Sequence, residues 1–170
     1  KYNEVAFLGT HNSYKSGATD EYKKLYEAVD VATFGFIDAE TADFAAETLT
    51  QQLEIGIRHL EIDIETVVGK DEISFAVSHL PYFDNVSSCY NLALALEEIR
   101  LWSENNPGHL PVSVIIEPKR AVVPIGGMRE FNIDYANELD SLVRSVMGDN
   151  LLTPAQMMGD YTSFKEMREN

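Results

Sequence analysis

Two periods of apolar and polar residues divide this chain. Short runs rich in apolar and β-branched residues at 5–9, 58–65, 73–79 and 112–117 predict four strands, each finishing in polar residues. Helical spacing falls between and after them. Phe44, Leu49 and Leu53 predict a helix over 42–55 that ends before Gly56, and 91–104 predicts a second, closed by Asn-Asn-Pro-Gly. A third starts with Asp134 as N-cap, carries Leu139, Leu142, Val143 and Val146 on one face and stops before Gly148. Thr153 followed by Pro154 opens a fourth.

Strands alternating with helices predict an α/β chain with parallel strands joined by crossovers. Doubly wound sheets and barrels share that signature, and the polar strand ends distinguish them. Thr10, His11 and Asn12 follow the first strand, Glu61 and Asp63 lie on the second, His79 ends the third and Glu117 ends the fourth. Such convergence is what the carboxyl end of a TIM-type barrel provides, where all strand ends open onto one mouth. A complete barrel takes about 250 residues, against 170 here. The expectation is therefore one domain over 1–170, the N-terminal half of a barrel with roughly four βα units. The remaining strands would come from further sequence or another chain.

In 58–65, strand alternation puts Leu60, Ile62 and Ile64 on one face and Glu61, Asp63 and Glu65 on the other. Three carboxylates on one face of a buried strand repel one another and lose hydration, so they need compensating positive charge. Arg58 and a lysine would supply it as ordinary ion pairs; a bound dication would supply it more fully. Asn12 and Glu117 extend the oxygen set, which suits Ca²⁺ or Mg²⁺ rather than zinc, with Ca²⁺ preferred because it accepts bidentate carboxylates and irregular geometry. His11 and His79 are not needed by a hard cation. As a pair they suit phosphoryl chemistry, one stabilising charge and the other protonating a leaving alkoxide. His59 and His109 are read as structural.

Composition narrows the partners. With 28 acidic and 13 basic side chains the formal charge is −15, a field that repels nucleic acid and attracts cations. A single cysteine, Cys89, excludes an internal disulfide and a Cys-based zinc site. No apolar run reaches about 18 residues, so no segment predicts a transmembrane helix. The chain opens on Lys1 rather than Met, from which removal of a leader and a secreted, periplasmic or cell-surface location are expected.

The segments 9–14 (GTHNSY), 49–58 (LTQQLEIGIR), 60–63 (LEID), 78–79 (SH), 102–103 (WS) with 106–109 (NPGH), and 115–119 (IIEPK) together resemble the calcium-dependent bacterial phosphoinositide-specific phospholipases C, related to the X region of the eukaryotic enzymes. The match covers most of 3–120, and its order and spacing are more specific than any one piece. The resemblance implies Asn12, Glu61, Asp63 and Glu117 as calcium ligands and His11 and His79 as the catalytic pair. It implies attack by an inositol hydroxyl on a phospholipid phosphodiester, with Glu117 or Glu61 as base, His11 on the phosphoryl group and His79 protonating the departing diacylglycerol oxygen. A cyclic inositol phosphate results. Lys119 and Arg58 either contact a substrate phosphate or balance the acids. The residues that grip the ring would lie in the barrel's second half, and the acidic surface favours phosphatidylinositol over polyphosphorylated lipids. Apolar residues after the fourth strand (Val122, Val123, Pro124, Ile125, Met128) and the third (Tyr82, Phe83) suggest transient contact with a membrane surface. Two rivals are a metal-dependent glycerophosphodiester phosphodiesterase, which has His-Arg-Gly where this chain has His11, Asn12 and Ser13, and a non-catalytic calcium- or carbohydrate-binding module on the same scaffold.

Overall fold

The core is organised by a ten-residue strand, β1 (His59–Val68), which in the computed structural model is paired along both edges. The structure describes residues 5–34, 44–79, 86–120 and 127–169. Along one edge of β1 runs β3 (Ser113–Pro118), parallel, from His59↔Ser113 to Ile64↔Pro118. Beyond it β4 (Met128–Arg129) pairs antiparallel with Val67 and Thr66. Along the other edge β2 (Ile73–Val77) pairs antiparallel, from Val68↔Ile73 to Ile64↔Val77.

The direction of β2 corrects the all-parallel expectation. Only residues 69–72 separate it from β1, and Gly69 N–H closes on Glu72 O at 2.8 Å. A parallel return needs a crossover of a dozen or more residues, so so short a connection makes a hairpin. The sheet is therefore mixed rather than built from repeated βα units.

A second correction concerns 5–9. In place of a regular strand there is one parallel bridge, Gly9↔His59, continued by hydrogen bonds from Arg58 N to Leu8 O, Thr10 N to His59 O and Ser13 N to Glu61 O. The chain keeps to the edge of β1 there but turns in at Asn12 before a ladder is built. Gly9 permits the approach, because a Cβ at that position would lie 2.9 Å from His59 Cβ.

Helix α2 (Leu49–Glu54) is shorter than the helix expected over 42–55. Thr48 and Gln51 form a capping box that fixes its start, residues 44–48 are non-helical, and 42–43 fall outside the described residues. Gly56, at φ +98°, takes the left-handed conformation that ends it. Helix α1 (Asp20–Ala32), capped by Thr19, was not expected; its buried Tyr26 ring faces the equally buried Lys15 ammonium at 5.7 Å. Helix α3 (Leu92–Asn105) starts at Asn91, whose side chain accepts from Ala93 N–H at 2.8 Å. Helix α4 (Ile133–Met147) is capped two residues before Asp134, by Asn132, which accepts from Asp134 and Tyr135 N–H. Helix α5 (Pro154–Met158) has the expected Thr153 cap with Pro154 in its first turn, and α6 (Phe164–Glu169) follows.

Leu60, Ile62 and Ile64 of β1, with Phe75 and Val77 of β2, are buried against Leu49 and Leu53 of α2 and Leu92, Ala95, Leu96 and Ile99 of α3. Each fully buried Leu or Ile contributes about 1.5–3 kcal/mol, enough to fix which face of β1 turns inward. The opposite face, bearing Glu61, Asp63 and Glu65, has no such freedom. A one-residue slip would exchange the two sets.

Candidate metal centre and catalytic site

Parallel register brings Asp63 of β1 beside Glu117 of β3. Glu61 lies two residues earlier on the Asp63 face, so Glu61, Asp63 and Glu117 each offer a carboxylate oxygen within 4.8 Å of one another. Glu61 and Asp63 are buried, while Glu117 faces outward at the end of its strand.

The segment 10–13 closes over the other side. Glu61 N–H donates to Ser13 Oγ at 2.9 Å, Asn12 N–H donates to Glu61 Oε2 at 2.5 Å, and Thr10 Oγ1 donates to Gln52 Oε1 at 2.6 Å. Gln52 Nε2 donates in turn to Ser13 O at 2.6 Å. The turn holds Asn12 at φ +49°, a left-handed conformation that asparagine tolerates better than most residues and that recurs at functional sites. The Tyr14 hydroxyl lies 2.9 Å from Asp63 Oδ2 and 3.3 Å from Asn12 Oδ1, tying both groups into one network. Three of the expected ligands, Glu61, Asp63 and Glu117, thus converge, and Asn12 is joined to them through Glu61 and Tyr14.

Lys119 enters the same space. Its Nζ is 2.9 Å from Asp63 Oδ1 and 2.7 Å from Glu117 Oε1. Burial works against its charged form, but hydrogen bonds to Glu117 and Asp63 outweigh that and hold its pKa above the ordinary value. One ammonium does not neutralise the cluster. Burial, then the hydrogen-bonded and charged Asp63, raise Glu61 to about 7 against the opposing Asn12 N–H and Lys119. Burial and then the charge of Asp63 likewise raise Glu65 to about 7, with Lys119 opposing. Among the described residues Glu61 Oε1 and both oxygens of Glu65 have no hydrogen-bond partner. Several buried carboxyls, an amide oxygen within the same network and an orphaned carboxylate oxygen fit a hard dication that takes six to eight oxygens.

His11 is exposed in the segment beside Asn12, and His79 is half-buried two residues after Val77, the partner of Ile64. Both lie along the edge of β1 shared by β2 and the 8–13 segment. Although β2 runs antiparallel, β1 is long enough that the hairpin carries the chain out and returns it as far as Val77 opposite Ile64, two residues before His79.

Arg58 is not brought to this site. It sits at the opposite end of β1, donating to Leu53 O and Ile57 O at 2.7 Å, its guanidinium 4.7 Å from the centre of the Trp102 ring. His109 packs on the same ring at 4.9 Å and joins Ser103 Oγ at 2.7 Å, in keeping with a structural role. Of the apolar rim residues, Met128 is half-buried in β4, while 82–83 and 122–125 lie outside the described residues. Sequence reasoning left out Tyr14, Ser13 and Gln52. Gln52 had a visible signal, a polar side chain beside Leu49 and Leu53 on the buried face of α2.

A family model described as "Phosphoinositide phospholipase C, Ca2+-dependent" matches residues 1–69 and 68–168. Among solved structures, a calcium-dependent phosphatidylinositol-specific phospholipase C from Streptomyces antibioticus is similar at TM-score 0.60 and 23% identity over 95% of this chain and 45% of its own. A calcium-dependent phosphoinositol-specific phospholipase C from Pseudomonas sp. is similar at TM-score 0.59 in a myoinositol complex, with 23% identity over 92% of this chain and 45% of its own. In another crystal form the Pseudomonas protein gives TM-score 0.57 and 20% identity at the same coverage. The chain thus spans a little under half the length of these structures. No curated protein matches it at a significant level.

Proposed function

This chain belongs to the Ca²⁺-dependent phosphoinositide phospholipase C family, and from that premise we propose that it is the N-terminal, cation-holding half of a barrel enzyme cleaving phosphatidylinositol-type phosphodiesters. The observation that carries the proposal is the convergence of carboxylate oxygens from two separate strands on one point, with Asp63 and Glu117 in register. The remaining barrel strands would be supplied by further sequence or another chain.

In this reading Asn12, Glu61, Asp63 and Glu117 hold calcium. The ion would lower the pKa of the attacking inositol hydroxyl and offset charge on the phosphoryl group. Glu117 or Glu61 takes the hydroxyl proton as the ring oxygen closes on phosphorus. His11, exposed beside Asn12, donates to the phosphoryl oxygens as their charge grows. His79 protonates the diacylglycerol oxygen as its bond to phosphorus breaks, leaving a cyclic inositol phosphate. Lys119, once released from Asp63 and Glu117, is within the same space to contact the phosphate. Among the described residues no helix is long and apolar enough to cross a membrane.

The test is turnover of phosphatidylinositol by the intact protein with calcium and then with chelator, the product identified by phosphorus NMR. A cyclic phosphate formed only with calcium is expected. Free glycerol phosphate from a glycerophosphodiester would instead identify a diesterase. His11→Ala should abolish turnover while calcium affinity, read by calorimetry, stays within about threefold; full turnover by that variant would overturn the histidine's role.

A further inference from the structure

We propose that Glu65 is a substrate-binding residue, its carboxyl accepting hydrogen bonds from hydroxyls of the inositol ring beside the cation site. The inference rests on the phospholipase reading and assigns a contact to this half of the protein, where the ring-gripping residues were expected elsewhere.

Glu65 shares the face of Glu61 and Asp63 on β1 and lies one residue past Ile64, the last position of β1 paired with β3. It is 0% exposed, yet neither oxygen has a hydrogen-bond partner among the described residues. A buried carboxyl left bare costs several kcal/mol unless something satisfies it, so the group waits for a donor. Neighbouring side chains on its own face do not supply one: Asp63 is itself acidic, and Lys119 is spent on Asp63 and Glu117. The cation does not supply one either. Glu65 is not among the three carboxylates whose oxygens fall within 4.8 Å of one another.

Among the described residues no donor is left for Glu65, and a substrate bound at the cation would bring one. The reacting hydroxyl must sit at the cation, and a six-membered polyol ring placed there carries further hydroxyls about 3–6 Å away, each an O–H donor suited to a carboxyl oxygen. A phosphate ester at the contacted ring position has no such proton at neutral pH and would set oxygen lone pairs and negative charge against the carboxyl. Glu65 therefore also selects for a free hydroxyl at that position, in accord with a chain of formal charge −15.

The experiment uses the intact protein and separates three affinities: calcium alone, myo-inositol with saturating calcium, and turnover of phosphatidylinositol. Glu65→Leu should weaken myo-inositol about tenfold or more, as loss of a charge-assisted hydrogen bond does. Glu65→Gln, which keeps one acceptor, should recover part of the loss, and both variants should bind calcium within about threefold of wild type. Myo-inositol affinity unchanged in Glu65→Leu, with wild-type turnover intact, would overturn the assignment and leave the phospholipase reading standing. Calcium affinity falling in both variants would make Glu65 a cation ligand and likewise overturn it. Wild-type protein that neither binds myo-inositol nor turns over phosphatidylinositol would overturn both.

Discussion

Replacing Glu65 by leucine should stabilise the cation-free protein more at alkaline pH than at acid pH. The carboxyl ionises near 4.5 in an unfolded chain and near 7 in the folded one. Below 4.5 both forms are neutral and the group adds no electrostatic penalty; as pH rises through 7 the folded protein must carry a charge it holds poorly. A folded pKa raised in this way contributes stability that is present at low pH and lost across that window. The shift corresponds to at most ~3 kcal/mol, and with screening by nearby solvent to ~1–2 kcal/mol. Leucine has similar bulk and no charge, so the variant escapes that loss. Urea unfolding with chelator at pH 5 and pH 8.5 reads the difference, with a gain larger by ~1–2 kcal/mol at the higher pH, or a rise in Tm larger there by about 2–8 °C at this chain length. A variant no more stable than wild type at pH 8.5, or equally stabilised at both values, would refute the reasoning, because the carboxyl would then have compensation of its own. Stability gained where ligand binding is lost is the exchange expected of a group kept for function.

Other outcomes follow from the same site. Lys119→Met removes the ammonium held 2.9 Å from Asp63 and 2.7 Å from Glu117; without calcium the variant should lose about 2–4 kcal/mol, as unpairing a buried charge does, while calorimetry should show tighter calcium binding, since a tethered competitor is gone. Tyr14→Phe deletes the hydroxyl joining Asn12 and Asp63, with an expected loss of about 1 kcal/mol in stability and about five- to tenfold in calcium affinity; unchanged affinity would show that the two donors are positioned without it. Gly9→Ala puts a Cβ 2.9 Å from that of His59 and should push the 8–13 segment off β1, lowering stability by about 1–3 kcal/mol and weakening calcium binding through Asn12, both measurable by thermal melts with and without the ion.

Local rules carried much of this protein in its sequence. Alternation along a strand is a property of the backbone, so the carboxylates of Glu61, Asp63 and Glu65 could be assigned to one face and Leu60, Ile62 and Ile64 to the other before any partner was known. Helix ends are equally local: the Thr153 cap is short-range chemistry and was legible, although Asn132 displaced Asp134 because both are good caps two residues apart. The direction of β2 was legible too, in the four residues that precede it, and was overridden by the alternation of strands and helices.

Contacts between distant segments were decided by the tertiary structure. Lys119 and Arg58 were equivalent cations on paper; Arg58, just before β1, stacks on Trp102 at one end of the strand, while parallel register delivered Lys119 to the other. Tyr14 had no assigned role in the sequence; the turn at Asn12 brings its hydroxyl within reach of Asp63. The bareness of Glu65 is a fact about what the other described segments fail to bring near it. A residue's type and its strand face are encoded within a few neighbours, but its partners depend on loop closure across 50 or more residues, where register and direction decide which donor meets which acceptor.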